Sequence, residues 1–204
     1  MKKLRLLITK NRMSPFIQYR GILEKYLSNF TIRSLEEAWN EPRRKYHNVD
    51  HLQQILRDIE KKRSLVLPIH REALILAAFF HDAVYIPGFK DNEDKSLQMF
   101  MQTFKGEDPF MAKKIGEMIE CTKYRKKPVD PLLKIFWDAD NAGFVGPYEK
   151  FFETEKKIRL EFNHLSLSTY KKGRLSFLKS CLGIMGSKAD ENIKKLMDYI
   201  EKNY

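Results

Sequence analysis

A histidine followed directly by an aspartate brings an imidazole nitrogen and a carboxylate to one point, a donor pair suited to a divalent metal. In this 204-residue chain the step His81-Asp82 closes the apolar run Ala73-Leu-Ile-Leu-Ala-Ala-Phe-Phe80. Such a run reads as a buried helix, so the pair is delivered from its last turn on a rigid support. Five histidines and eleven aspartates in a chain of this length give roughly 0.3 such steps by chance. A metal site therefore requires ligands from elsewhere in the chain.

Two further stretches offer them. His47 and His51 are four apart, a spacing that stacks them on one face of a helix, and Ile55 and Ile59 continue that face toward a core. A lone inward histidine is usually a satisfied core residue. Here three of the five histidines, 47, 51 and 81, fall on the inward faces of two predicted helices, which favours ligands. The segment Pro131 to Gly143 carries Asp138 and Asp140, about 200° apart on a helix, so that only one can face a given site. Asp140 lies four after Phe136, seven after Leu133 and eight after Leu132, on the apolar face. Asp138 lies four after Lys134, the spacing of a surface ion pair. A buried carboxylate needs a cation or hydrogen-bond donors, so Asp140 is the expected ligand. Between these stretches Asp91, Asn92 and Glu93 suit capping and first-turn roles. Asp91 or Glu93 is equally placed to reach back over a metal as a proton acceptor.

The elements that must position these groups are helices almost throughout. Periodicity predicts them over 15–28, 34–40, 47–62, 68–83, 92–104, 109–122, 131–142, 148–162, 168–182 and 188–202, with little period-two alternation anywhere. Proline marks several first turns, and Ser34 with Glu37 forms a candidate capping box. Loops fall at Pro87-Gly88, Lys127-Pro128 and Gly183 to Ser187. One all-α domain over 1–204 is expected, with 1–33 as a helical appendage packed on it.

In that order, His51, His81-Asp82 and Asp140 on three helices resemble the H…HD…D signature of the HD superfamily of metal-dependent phosphohydrolases. More narrowly, Arg43 to Leu52, Phe79 to Ser96 and Trp137 to Gly146 are similar to a small bacterial family described as predicted metal-dependent HD phosphohydrolases. The similarity runs from about Ser34 to the C-terminus, through Ile158-Arg-Leu-Glu161 and Gly173-Arg174. This resemblance implies an HD-domain helical bundle and one divalent metal ion held by His51, His81, Asp82 and Asp140. It implies hydrolysis of a phosphoester of a nucleotide or other small phosphorylated molecule by metal-activated water. Two imidazoles and two carboxylates suit Mn²⁺, Fe²⁺, Zn²⁺, Co²⁺ or Ni²⁺, with Mg²⁺ also possible.

The string Tyr46-His47-Asn48-x-x-His51 also resembles a motif of cyclic nucleotide phosphodiesterases, where the first histidine protonates the leaving oxygen. Carried over, His47 is the general acid, and Asp82, Glu93 or Asp91 takes the proton of the water. Arg43, Arg44, Lys123 and Arg125 are the candidates for binding the remaining phosphate charge. Those enzymes have a second histidine three residues after the His-Asp step, and this chain has Tyr85, so one metal is expected rather than two. The chain also departs from the closer family at Thr122-Lys-Tyr-Arg-Lys-Lys and at Asn141-Ala-Gly-Phe-Val-Gly146. These departures keep open an HD-fold sensor that binds a nucleotide or phosphate without turning it over.

Composition bounds the remaining classes. With 43% hydrophobic and 32% charged residues the chain reads as an ordinary globular protein. No apolar run approaches the ~18 residues of a membrane span. The basic start Met1 to Lys10 holds only Leu6 to Ile8 as an apolar stretch after Arg5, too short for a signal peptide. A cytoplasmic protein is expected, with Cys121 and Cys181 as buried thiols. The net charge of +11 attracts anions. Its clusters at Lys2 to Arg12, Arg43 to Lys45, Lys123 to Lys127 and Lys171 to Arg174 are dispersed, which makes nucleic acid an unlikely partner.

Overall fold

A computed structural model describes residues 13–124 and 126–204. It is all-α, with no strand among the described residues. The first eight helices are α1 (Pro15–Gln18), α2 (Arg20–Tyr26), α3 (Asn29–Trp39), α4 (Val49–Glu60), α5 (Pro68–Phe80), α6 (Asn92–Thr103), α7 (Pro109–Cys121) and α8 (Pro131–Asp140). The short α9 (Ala142–Val145) leads into α10 (Tyr148–Glu161), α11 (Leu167–Cys181) and α12 (Ser187–Asn203). No helix among the described residues is long and apolar enough to cross a membrane.

The apolar run is the centre of the main core. Every residue from Ala73 to Phe80 is buried, because α5 packs on α4, α6, α7 and α8 and has no face left for solvent. Each fully buried Leu, Ile or Phe there contributes roughly 1.5–3 kcal/mol. Of the expected appendage over 1–33, residues 1–12 lie outside the described residues, and the rest packs into this core. Phe16, Tyr19, Leu23 and Ile32 are buried in it, and the Phe16 ring meets Phe79 edge-on at 4.9 Å. A second, smaller core forms where Phe151 of α10, Leu178 and Cys181 of α11 and Ile193, Leu196 and Ile200 of α12 meet.

Three helix starts differ from expectation, each for a local reason. The stretch 15–28 breaks at Tyr19 into α1 and α2. The α3 helix begins at Asn29, not Ser34. Ser28 is its N-cap, accepting from the Thr31 amide at 3.1 Å, and Ser34 sits mid-helix with its hydroxyl bonded to the Phe30 carbonyl. The apolar stripe Ile32, Leu35, Trp39 explains the earlier start, since Ile32 must be helical to reach the core. The third difference bears on the site. α4 starts at Val49 because the Asn48 side chain accepts from the Asp50 amide at 3.0 Å and caps it, so His47 lies outside the helix.

Candidate metal centre

Three helix termini converge. His51 stands in the first turn of α4, His81 is the C-cap of α5, and Asp140 is the last residue of α8. One ligand atom from each lies within 4.8 Å of the others. His51 Nε2 is 3.3 Å from Asp140 Oδ1, which is itself 3.6 Å from His81 Nε2. Asp82 adjoins the group, its Oδ2 3.2 Å from His81 Nε2. Of the four expected ligands, three thus share one point and Asp82 flanks it.

Whether these residues fit a cation is decided by His81. Its Nδ1–H donates to the Ala78 carbonyl at 2.9 Å, which sets the ring's orientation and turns Nε2 toward Asp140 and His51. That Nε2 is buried and has no hydrogen-bond partner of acceptable geometry among the described residues. Burial pulls the imidazole pKa down, but Asp82 and Asp140 raise it further, to about 9. Burial pushes the Asp82 and Asp140 carboxyls up, and the surrounding imidazoles hold both below the usual carboxylate range. The cluster therefore demands positive charge at the orphaned nitrogen. A proton satisfies the demand with one charge and a divalent ion with two, and two imidazole nitrogens with carboxylate oxygens are a fitting donor set for the latter.

The α5 terminus is braced by two residues from before α4. Trp39 Nε1 donates to the Phe79 carbonyl at 2.8 Å, and Arg44 donates from Nη1 to the Asp82 carbonyl at 2.6 Å and from Nη2 to the Ala83 carbonyl at 3.0 Å. The guanidinium thus supplies donors to two carbonyls of the turn that follows the helix, where the chain has no intrahelical partners to offer them. Arg44 was expected to bind substrate, but its buried guanidinium is committed to this turn. Replacing it with alanine strips two carbonyls of a charged donor, and an Arg44→Ala protein is expected to lose about 2–4 kcal/mol in urea unfolding. Stability within a few tenths of wild type would show the brace to be dispensable.

Beyond the turn, Asn92 ties the loop back by accepting from the Ile86 amide and donating to the carbonyls of Ile86 and Phe89. Gly88, at a φ of 88°, makes the bend that an L side chain would strain. The loop presents Tyr85, whose ring stacks on His47 at 4.1 Å. His47 does not reach the site through helical spacing from His51. It is held by Glu161 at the end of α10, whose buried carboxylate accepts from the Tyr46 amide at 2.7 Å, the His47 amide at 2.9 Å, His47 Nδ1 at 2.7 Å and the Tyr85 hydroxyl at 2.9 Å. Burial pushes Glu161 up, yet these donors, His47 foremost, hold it at about 2. The Tyr85 phenol is pushed the other way, upward, by burial and the Glu161 charge.

The group opens onto a cavity of about 430 Å³ that also takes in His47, Asp82, Tyr85 and Glu93 together with Phe144, Phe151, Phe162, Tyr170, Arg174 and Phe177. Asp91 is not on its wall; its carboxylate turns to Lys95 at 2.9 Å on the exposed start of α6. Lys123 pairs with Asp94 at 2.6 Å, also away from the wall. Arg43 pairs with Glu41 and lines a separate cavity, and Arg125 lies outside the described residues. Of the expected phosphate-binding cations, none that is described lines this cavity. Cys121 is half-buried and Cys181 fully so. Burial and the Asp140 charge push the Cys121 thiol up to about 12, which disfavours its thiolate.

Sequence reasoning assigned no role to Tyr46 and Arg174, which line this cavity, or to Glu161, which holds His47. The signal was that all three fall in the stretches that carry the resemblance, and that Glu161 lies three after Ile158 on the buried face of an otherwise charged helix. Comparison with protein-family models, curated proteins and solved structures found no match to this chain.

Proposed function

We propose that the protein is a metal-dependent phosphohydrolase that cleaves a phosphoester of a small phosphorylated molecule, as the H…HD…D pattern of its sequence implies. The observation that carries the reading is the orphaned His81 Nε2, buried and aimed at His51 and Asp140 at the wall of a cavity of ligand size. His51, His81 and Asp140, with Asp82 beside them, would hold a divalent ion, which would supply Lewis acidity toward a phosphoryl oxygen and toward water. Asp82 or Glu93 accepts the proton that water gives up as its oxygen bonds to phosphorus. Glu161 holds the His47 Nδ1–H, so Nε2 is the nitrogen that delivers a proton to the departing oxygen. The products are inorganic phosphate, or a shorter phosphate ester, and an alcohol. The net charge of +11 favours the approach of such anions.

The test is a phosphate-release screen of purified protein supplied with Mn²⁺, Zn²⁺ or Fe²⁺, with Asp82→Ala and His81→Ala as controls. Turnover that falls by at least about 100-fold in both variants is expected. Turnover that persists in them sinks the reading. Tight binding of a nucleotide with no release from any ester replaces it with a binding-only sensor.

A further inference from the structure

The cavity that holds the His81 cluster also carries a cation that the proposed chemistry leaves unused. Tyr170, Gly173, Arg174 and Phe177 lie on one face of α11, at the spacing of successive helical turns, and all four line the cavity. Arg174 is the only lysine or arginine among the described lining residues. Its side chain is 9% exposed, and the guanidinium lies over the Phe177 ring at 4.9 Å.

The guanidinium is held by a fully buried carboxylate. Glu155 accepts from the Tyr170 hydroxyl at 2.7 Å on Oε1 and from Arg174 Nε at 2.7 Å on Oε2. An arginine present only to neutralise Glu155 would pair with it through two nitrogens, the favoured geometry for a carboxylate. Here Nε alone is used. The two Nη groups make no hydrogen bond among the described residues, and neither is sealed off in the interior, so both stay accessible at the cavity wall. They form a planar two-pronged donor, locked in place, on the wall of a cavity. The neighbouring Gly173 leaves open space on the same helix, where a methyl group would meet nothing within 4 Å.

We propose that Arg174 is the anion-binding residue of this cavity, and that its ligand is a small phosphomonoester with a flat or apolar body. The anionic oxygens take the Nη fork, and the body lies against Phe144, Phe151, Phe162 and Phe177. Glu155 and Tyr170 are positioning residues that act through the guanidinium. The phosphoryl identity of the ligand rests on the phosphohydrolase reading, whereas the anion site does not.

Phenylphosphonate, which cannot be hydrolysed as an ester, separates the two. Its affinity is measured by calorimetry with Mn²⁺ and again with EDTA, and phenol serves as the neutral control. Binding to the wild type is expected in both media, and about 10- to 100-fold weaker binding in Arg174→Gln, with partial recovery in Arg174→Lys. Phenol affinity should not change. Because Arg174→Gln leaves Glu155 as an unpaired buried charge, the double variant Glu155→Gln/Arg174→Gln is measured beside it, and circular dichroism confirms its fold. Equal phenylphosphonate affinity in wild type and the double variant overturns the proposal, and so does wild-type binding that disappears with EDTA. Absence of turnover in the phosphate-release screen, with the Arg174 dependence intact, removes the phosphohydrolase reading and leaves the anion site standing.

Discussion

Wild-type protein dialysed against Mn²⁺ or Zn²⁺ is expected to retain one ion per chain, and the Asp140→Ala and His81→Ala proteins none. The reason is the electrostatics of the cluster. Asp140 Oδ1 lies between His51 Nε2 and His81 Nε2, at 3.3 and 3.6 Å, so its loss removes the shared donor. Loss of His81 removes the one nitrogen that is buried, oriented by Ala78 and left without a hydrogen bond. Each change should weaken the metal by at least about 100-fold, since even residues that only orient ligands cost 10- to 100-fold. The effect is also readable as stability. An ion at 100 times its dissociation constant stabilises the folded state by about 2.7 kcal/mol, a rise in Tm of roughly 5–10 °C for a chain of this size. That rise should be absent from both variants, and in the wild type it should shrink at acid pH as protons compete for the imidazoles. Equal uptake and an equal Tm shift in all three proteins would place the ion elsewhere.

The second large effect is expected at Glu161. One carboxylate accepts four hydrogen bonds, two from backbone amides, one from His47 and one from Tyr85. Glu161→Ala leaves those donors without their acceptor in a buried place, at a cost of about 3–5 kcal/mol. Glu161→Gln keeps an acceptor oxygen and should cost less, and under the proposed chemistry it lowers turnover because His47 loses the charged acceptor that orients its ring. The pH dependence has a definite sign. Glu161 has a carboxyl pKa of about 2 in the folded protein against an ordinary value of 4.5. Its contribution is therefore fully present above 4.5 and is lost as pH falls toward 2. The shift corresponds to roughly 3 kcal/mol. Urea unfolding at about pH 7 and pH 3 should show the wild type losing more stability than Glu161→Gln over that interval. Parallel losses in the two proteins would show that the carboxylate does not carry the acid sensitivity.

The site mixes features that were legible in the sequence with others that were not. Helical period alone separated Asp140 from Asp138. Asp140 joins the histidines, and Asp138 pairs with Lys134 on the exposed face, as their spacing required. The same period placed His81 at the end of a fully buried run. It misled at His47, where the four-residue spacing to His51 was read as one helix face. An asparagine cap at residue 48 ends the helix first, and a glutamate 114 positions away aims the ring instead. Arg44 was read from its charge as a phosphate ligand, yet its fork is used up on two carbonyls of the α5 terminus.

Amphipathic periodicity and capping chemistry act over a few residues, and they suffice to make this chain all-α and to bring His51, His81 and Asp140 to inward-facing helix ends. Which end meets which is a different matter. The hold of Glu161 on His47, the brace of Arg44 on the Asp82 turn and the fixing of Arg174 by Glu155 each depend on a side chain finding a donor or acceptor on another element or a distant turn. Such pairings follow from how the helices pack, and each buried polar group takes whichever partner the packing brings within about 3 Å. Local spacing specified the donors of the candidate metal group; tertiary packing selected the groups that orient, brace and surround it.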